Sequence, residues 1–131
     1  MRADDFDKIV EKACARIPAR FRRRMQNIAI VVEPEPSTQQ LRAMGIRAPG
    51  TLLGLYEGRP LISRSVSDPF AMPDRITIFQ GPHERLARDA ADLSRLVEET
   101  VWHEVAHYFG LDGRQVRAAE TRRQRSTMRR P

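Results

Sequence analysis

The segment Val101-Trp102-His103-Glu104-Val105-Ala106-His107-Tyr108-Phe109-Gly110-Leu111-Asp112 reads His-Glu-x-x-His followed by x-x-Gly-x-Asp. One helical turn separates His103 from His107, so their Cβ atoms lie about 6 Å apart on one face. Two imidazoles at that spacing can bind one zinc ion. Glu104 projects about 60° around the helix from His107, where a general base would reach a water beside the metal. The pattern therefore predicts a zinc site on a helix.

A His-Glu-x-x-His sequence also arises by chance, and a helical histidine is usually a solvated or packed side chain. Three observations favour the metal site. The apolar residues of the predicted helix share one arc, and both histidines lie outside it; the arc consists of Val97, Val101, Trp102, Val105, Tyr108 and Phe109. His103 and His107 are two of only three histidines in the chain. Gly110 stands where a left-handed residue would end the helix and turn the chain back.

The length of 131 residues predicts one domain, over residues 1–116, that needs no disulfide to fold. Cys14 is the single cysteine, and its position on an apolar helical stripe indicates a packing residue. The first ten residues carry acidic side chains and no apolar run typical of a signal peptide, and no stretch has the length of a membrane span. We therefore expect a soluble, cytoplasmic protein without a membrane partner, most simply a monomer.

The net charge of +6 lies at the C-terminus. From Arg114 onward there are seven arginines and one acidic residue, Glu120, so the preceding chain is neutral. Residues 117–131 have too few apolar side chains to fold alone, which predicts a basic, disordered tail. Without interleaved aromatic residues, such a tail is expected to bind nucleic acid weakly if at all.

Hydrophobic periodicity predicts an α+β domain with a small mixed sheet and helices on one side. The predicted elements are a helix over 5–17, strands over 28–32, 52–57, 61–64 and 75–79, a short helix over 37–44, a turn over 58–60, a loop over 68–74 and a long helix over 93–109. Asp89 or Asp92 can cap the long helix. The alternation of side chains over 75–79 predicts a strand with one packed face. His83, which follows Gly81 and Pro82, is expected in an exposed loop.

Three segments, 52–61, 72–78 and 103–112, together resemble the small bacterial zincin-like metallopeptidases, also called minimal metalloproteases. The resemblance extends from Phe6 to Val116. It implies a zincin-like fold, in which a small twisted mixed sheet packs against an active-site helix, and it implies hydrolysis of peptides or unfolded protein. It also implies Zn²⁺ bound by His103 and His107, with Glu104 as the base. The strand near 76–79 is then expected to flank the cleft and pair with an extended peptide.

The chain departs from the family pattern at the third zinc ligand. That pattern puts the ligand six residues after the second histidine, where this sequence has Gly113. Asp112, one residue earlier, is our first candidate, because Gly113 eases an adjustment of the turn. An incomplete site with two histidines and waters is the second possibility, and Glu120 from a later segment is the third. The alternative to a peptidase is therefore a weak or inactive zinc- or peptide-binding module.

Four further residues have predicted positions at the site. Leu96 and Thr100 precede the histidines on the same helical face and are expected to line its floor. Tyr108 and His83 are possible donors to an oxyanion, but Tyr108 falls on the core arc and His83 is predicted to face solvent.

Overall fold

The computed structural model of the protein describes residues 1–58 and 74–111. Its helices are α1 (Ala3–Ala15), α2 (Ala19–Arg22), α3 (Thr38–Ala43), α4 (Gln80–Leu86) and α5 (Ala90–Tyr108), and its strands are β1 (Ile28–Glu33), β2 (Gly54–Glu57) and β3 (Asp74–Phe79). The predicted α+β class is confirmed. The predicted strand over 61–64 and nearly all of the turn and loop beside it lie outside the described residues. None of the described helices has the length and apolar character needed to cross a membrane.

The sheet has the order β1-β3-β2, with β1 parallel and β2 antiparallel to the central strand β3. The predicted single packed face of β3 is wrong. Ile76, Thr77, Ile78 and Phe79 are all fully buried, and only Arg75 of these alternating residues is exposed. Successive side chains point to opposite faces of the sheet, so the burial of all four means that both faces of β3 are covered along 76–79.

Helix α5 packs on the sheet and on α1, and this contact forms the core. The predicted arc is confirmed, since all six of its side chains are at most 6% exposed. Helix α1 contributes Phe6, Val10 and Ala13 to the same cluster. The Tyr108 hydroxyl donates to the main-chain carbonyls of residues 24 and 26, which agrees with a packing role. Cys14 is half-buried against the core, and burial raises the pKa of its thiol.

Both ends of α5 have side-chain or backbone caps. The Asp89 carboxylate is the N-cap and accepts from the Asp92 amide at 2.8 Å, so the helix begins three residues earlier than predicted. At the other end Gly110 has φ 72°, its N–H donates to the carbonyl of His107, and the Leu111 N–H donates to the carbonyl of Ala106. This is a Schellman motif. The chain therefore turns sharply after the second histidine of the motif, as predicted.

Candidate metal centre

Three side chains of the sequence motif converge on the cleft side of α5. The rings of His103 and His107 are 4.6 Å apart between centroids and both side chains are exposed. Glu104 lies beside them and is only 6% exposed. Nitrogen and carboxylate atoms of the three residues lie within 4.8 Å of one another, which is compatible with contact to one cation.

The surroundings of Glu104 shift the pKa of its carboxyl. Burial raises the pKa of its carboxyl, while the charge of His103 and a hydrogen bond from the Tyr56 backbone N–H act in the opposite direction. The buried Oε2 atom has no hydrogen-bond partner among the described residues. It lies 3.5 Å from Nδ1 of His107, and burial lowers the pKa of that imidazole. The two imidazoles are ligands that suit a divalent zinc ion, and the unsatisfied carboxylate oxygen beside them would be free to accept from a water on that ion.

A cleft of about 680 Å³ opens above these residues. Leu96 and Thr100 line it from α5, as predicted, and Met44, which follows α3, is one of the side chains on the other side. The stretch from Thr51 to Tyr56 supplies much of the lining. The site is therefore an open groove between α5 and β2, lined by four leucines among polar residues, with its carboxylates and imidazoles on the helix.

The strand that flanks this groove is β2, and the prediction that the strand near 76–79 would do so is wrong. Strand β3 is paired on both sides, so its main-chain groups are already bonded. In β2 the Phe79 N–H donates to the carbonyl of Leu53, and hydrogen-bonded pairs alternate along an antiparallel ladder. The main-chain polar groups of Gly54 and Tyr56 therefore point away from β3, toward the groove.

The sequence also matches a known protein family. A family model described as zincin-like metallopeptidase matches residues 25–123. The chain belongs to this family.

The fold of the chain is also similar to that of a solved structure. A conserved hypothetical protein from T. thermophilus superposes with a TM-score of 0.56 at 23% identity, covering 83% of this chain and 94% of that one. At this identity the similarity concerns the fold alone. No curated protein matches the chain.

His83 is the residue of this zincin-like protein that sequence reasoning placed wrongly. It lies on α4 and is fully buried. Its Nδ1 lies 2.7 Å from the carbonyl oxygen of Phe79, and its Nε2 lies 2.8 Å from Oγ1 of Thr100. Gly81 and Pro82 had indicated the end of ordered structure, but proline is well tolerated in the first turn of a helix. That tolerance was the signal in the sequence for α4.

The third ligand stays a prediction. Asp112, Gly113 and Glu120 lie outside the described residues, so the structure does not distinguish among the candidates. It describes the turn that precedes them, at Gly110.

Proposed function

We propose that this zincin-like protein is a zinc-dependent metallopeptidase that hydrolyses peptide bonds, with His103 and His107 as ligands and Glu104 as general base. The observation that carries the proposal is the unsatisfied Oε2 atom of Glu104, buried at the floor of a groove beside two histidines. Leaving a buried acceptor without a partner costs about 1–3 kcal/mol. Such a group is usually retained for a ligand or for chemistry.

Zinc bound by the two histidines would polarise the scissile carbonyl and lower the pKa of water toward about 7. Glu104 is prepared to move a proton. The Tyr56 N–H orients its carboxylate, and the unbonded Oε2 is available to accept a proton from water and later to pass it to the leaving amine. Burial keeps the pKa of the carboxyl above its ordinary value, closer to that of a base that works near neutral pH.

The substrate we propose is an extended segment of a peptide or unfolded protein. Among the described residues no strand pairs with the outer edge of β2. The N–H and C=O of Gly54 on that edge are groups of the kind that pair with an added strand, whereas the Tyr56 N–H already donates to Glu104. The groove is also lined by Leu52, Leu53 and Leu96, which suit aliphatic side chains. Asp112 would complete the metal site in this proposal.

A second candidate function is a binding module without turnover, which the glycine at position 113 favours. Zinc held by two histidines alone would exchange readily, since catalytic sites usually have three protein ligands.

The test combines metal content with hydrolysis of an unstructured protein, using wild type, His103→Ala and Glu104→Gln. We expect about one zinc per wild-type chain and its loss from His103→Ala. Glu104→Gln should retain zinc but lose at least about 100-fold in turnover. Loss of zinc from Glu104→Gln would instead identify the carboxylate as a ligand. Glu98→Gln is the matched control, since it removes a carboxylate from the same helix at a residue paired with Arg16.

The outcomes separate the two candidate functions. Zinc bound by wild type, with no more hydrolysis than in Glu104→Gln, would reject the peptidase and favour the binding module. Absence of zinc after incubation with the metal would reject the peptidase and leave peptide binding without a metal as the function.

A further inference from the structure

His83 is the buried titratable side chain that the proposed mechanism does not use. The carbonyl of Phe79 can only accept, so Nδ1 of the ring must donate to it across 2.7 Å. Burial lowers the pKa of the imidazole, and a neutral ring with a proton on Nδ1 presents Nε2 as an acceptor. Nε2 lies 2.8 Å from Oγ1 of Thr100, so the single proton of that hydroxyl is shared between Nε2 and the Leu96 carbonyl, which is 2.9 Å from Oγ1.

This hydrogen bond bears on the side-chain conformation of Thr100. A helical threonine divides between two rotamers, because its hydroxyl can bond to main-chain carbonyls of the preceding turn in either. In this protein Oγ1 lies within reach of the Leu96 carbonyl, at 2.9 Å, and of His83 at the same time. His83 thus selects one rotamer and with it the direction of the Thr100 methyl group.

The Thr100 methyl group lies against β2. A Cβ atom added to Gly54 would stand 2.7 Å from Cγ2 of Thr100 and 3.1 Å from Cγ of Glu104. Both distances are shorter than an ordinary van der Waals contact. Helix α5 therefore meets the α-carbon of Gly54 through two side chains one turn apart, and a different Thr100 rotamer would change the spacing between α5 and β2.

That spacing also determines whether β2 reaches Glu104. The Tyr56 N–H, two residues after Gly54 and on the same edge of the strand, donates to the Glu104 carboxylate. We propose that His83 is a positioning residue of the candidate active site: through the rotamer of Thr100 it maintains the separation of α5 and β2 at which the Tyr56 amide orients Glu104. The catalytic consequence rests on the proposed function, whereas the positioning itself does not.

Amide hydrogen exchange measured by NMR on the metal-free protein tests the positioning without any activity. The readout is the exchange rate of the Tyr56 amide relative to that of Leu55, whose N–H faces β3. His83→Phe keeps a ring but removes both nitrogens, and we expect the ratio to rise about tenfold. His83→Gln keeps an acceptor toward Thr100 and should stay within about twofold of wild type. Val10→Ala, a core variant on α1, is the control for a general loss of stability.

Thr100→Ser supplies a second, independent variant, because it keeps the hydroxyl but removes the methyl that contacts Gly54. We expect a similar rise in the Tyr56 ratio, and no further rise when Thr100→Ser is combined with His83→Phe, since both act through one contact. Ratios in His83→Phe or Thr100→Ser that equal those of Val10→Ala would overturn the proposal. Additive effects in the double variant would show that His83 does not act through Thr100.

The activity readout comes second. If wild type hydrolyses protein, His83→Phe should lower kcat at least about tenfold while leaving zinc affinity unchanged, and His83→Gln should restore kcat. An equal loss in both variants would contradict the proposal. If wild type shows no hydrolysis, the exchange ratios still decide whether His83 positions Glu104, so failure of the proposed function is a separate result.

Discussion

At the scale of single residues, the buried imidazole of His83 is expected to make stability depend on pH. Burial lowers the pKa of His83 below its ordinary value of 6.5. Below that value the unfolded chain binds a proton that the folded chain does not, so the free energy of unfolding falls as the pH decreases. The slope from one such group is at most about 1.4 kcal/mol per pH unit. Glu104 acts in the opposite sense, because the pKa of its carboxyl is raised in the folded state.

The measurement that isolates His83 is urea denaturation of wild type and His83→Gln between about pH 5 and pH 7. We expect wild type to lose more stability than the variant over this range. Parallel pH dependence in the two proteins would show that His83 is protonated as easily in the folded state as in the unfolded chain.

The sequence predicted the proximity of His103, Glu104 and His107, because spacing along one helix is a local property that 3.6 residues per turn determine. The role of His83 was not predictable in this way. Its partner Thr100 is seventeen residues away, and no periodicity links α4 to α5. The burial of Glu104 was missed for a similar reason, since it depends on the approach of β2.

At the scale of elements, two matched helix ends allow the turn after α5 to be tested. Gly110 and Gly45 have φ 72° and 69°, and each follows a helix in the same pattern of capping bonds. A left-handed conformation at a residue with a Cβ costs about 1–2 kcal/mol. We therefore expect Gly110→Ala and Gly45→Ala to lower the free energy of unfolding by similar amounts of about 1 kcal/mol.

Zinc affinity should distinguish these two variants. Gly110 precedes Asp112, the candidate third ligand, by two residues, so Gly110→Ala should weaken zinc binding at least about tenfold, whereas Gly45→Ala should not. Titration of each variant with zinc in the presence of a competing chelator measures this difference. Equal zinc affinities would show that the turn at Gly110 does not affect the metal site.

The helices and strands of the described chain were largely predictable, because apolar periodicity, capping aspartates and terminal glycines are local signals. The order of strands in the sheet was not. Strands β2 and β3 are both short and partly apolar, and which of them occupies the middle depends on contacts between distant segments. The wrong choice of groove strand follows from this. The wrong expectation for the faces of β3 has a separate cause, since covering both faces also depends on contacts between distant segments.

At the scale of the whole molecule, the charge is unevenly distributed. The described residues contain as many basic as acidic side chains, so the net charge of +6 belongs to the rest of the chain, chiefly to residues after Leu111. We expect the full chain to bind double-stranded nucleic acid weakly, with an affinity that falls at least about tenfold between roughly 50 and 200 mM salt. A chain that ends at Val116 should not bind. Fluorescence anisotropy of both chains measures this, and equal binding would exclude the terminal arginines as the cause.

The outward main chain of β2 suggests how this protein could be blocked. If a bound segment is recognised mainly through its backbone, recognition tolerates many side chains but depends on the peptide groups that face Gly54. A short strand-forming peptide ending in a hydroxamate would combine such pairing with chelation at the two histidines. Methylating one backbone nitrogen of that inhibitor would remove a donor and add bulk at the pairing edge while leaving its chelating group unchanged. Comparing the affinities of inhibitors methylated at different positions would reveal which register the bound strand adopts.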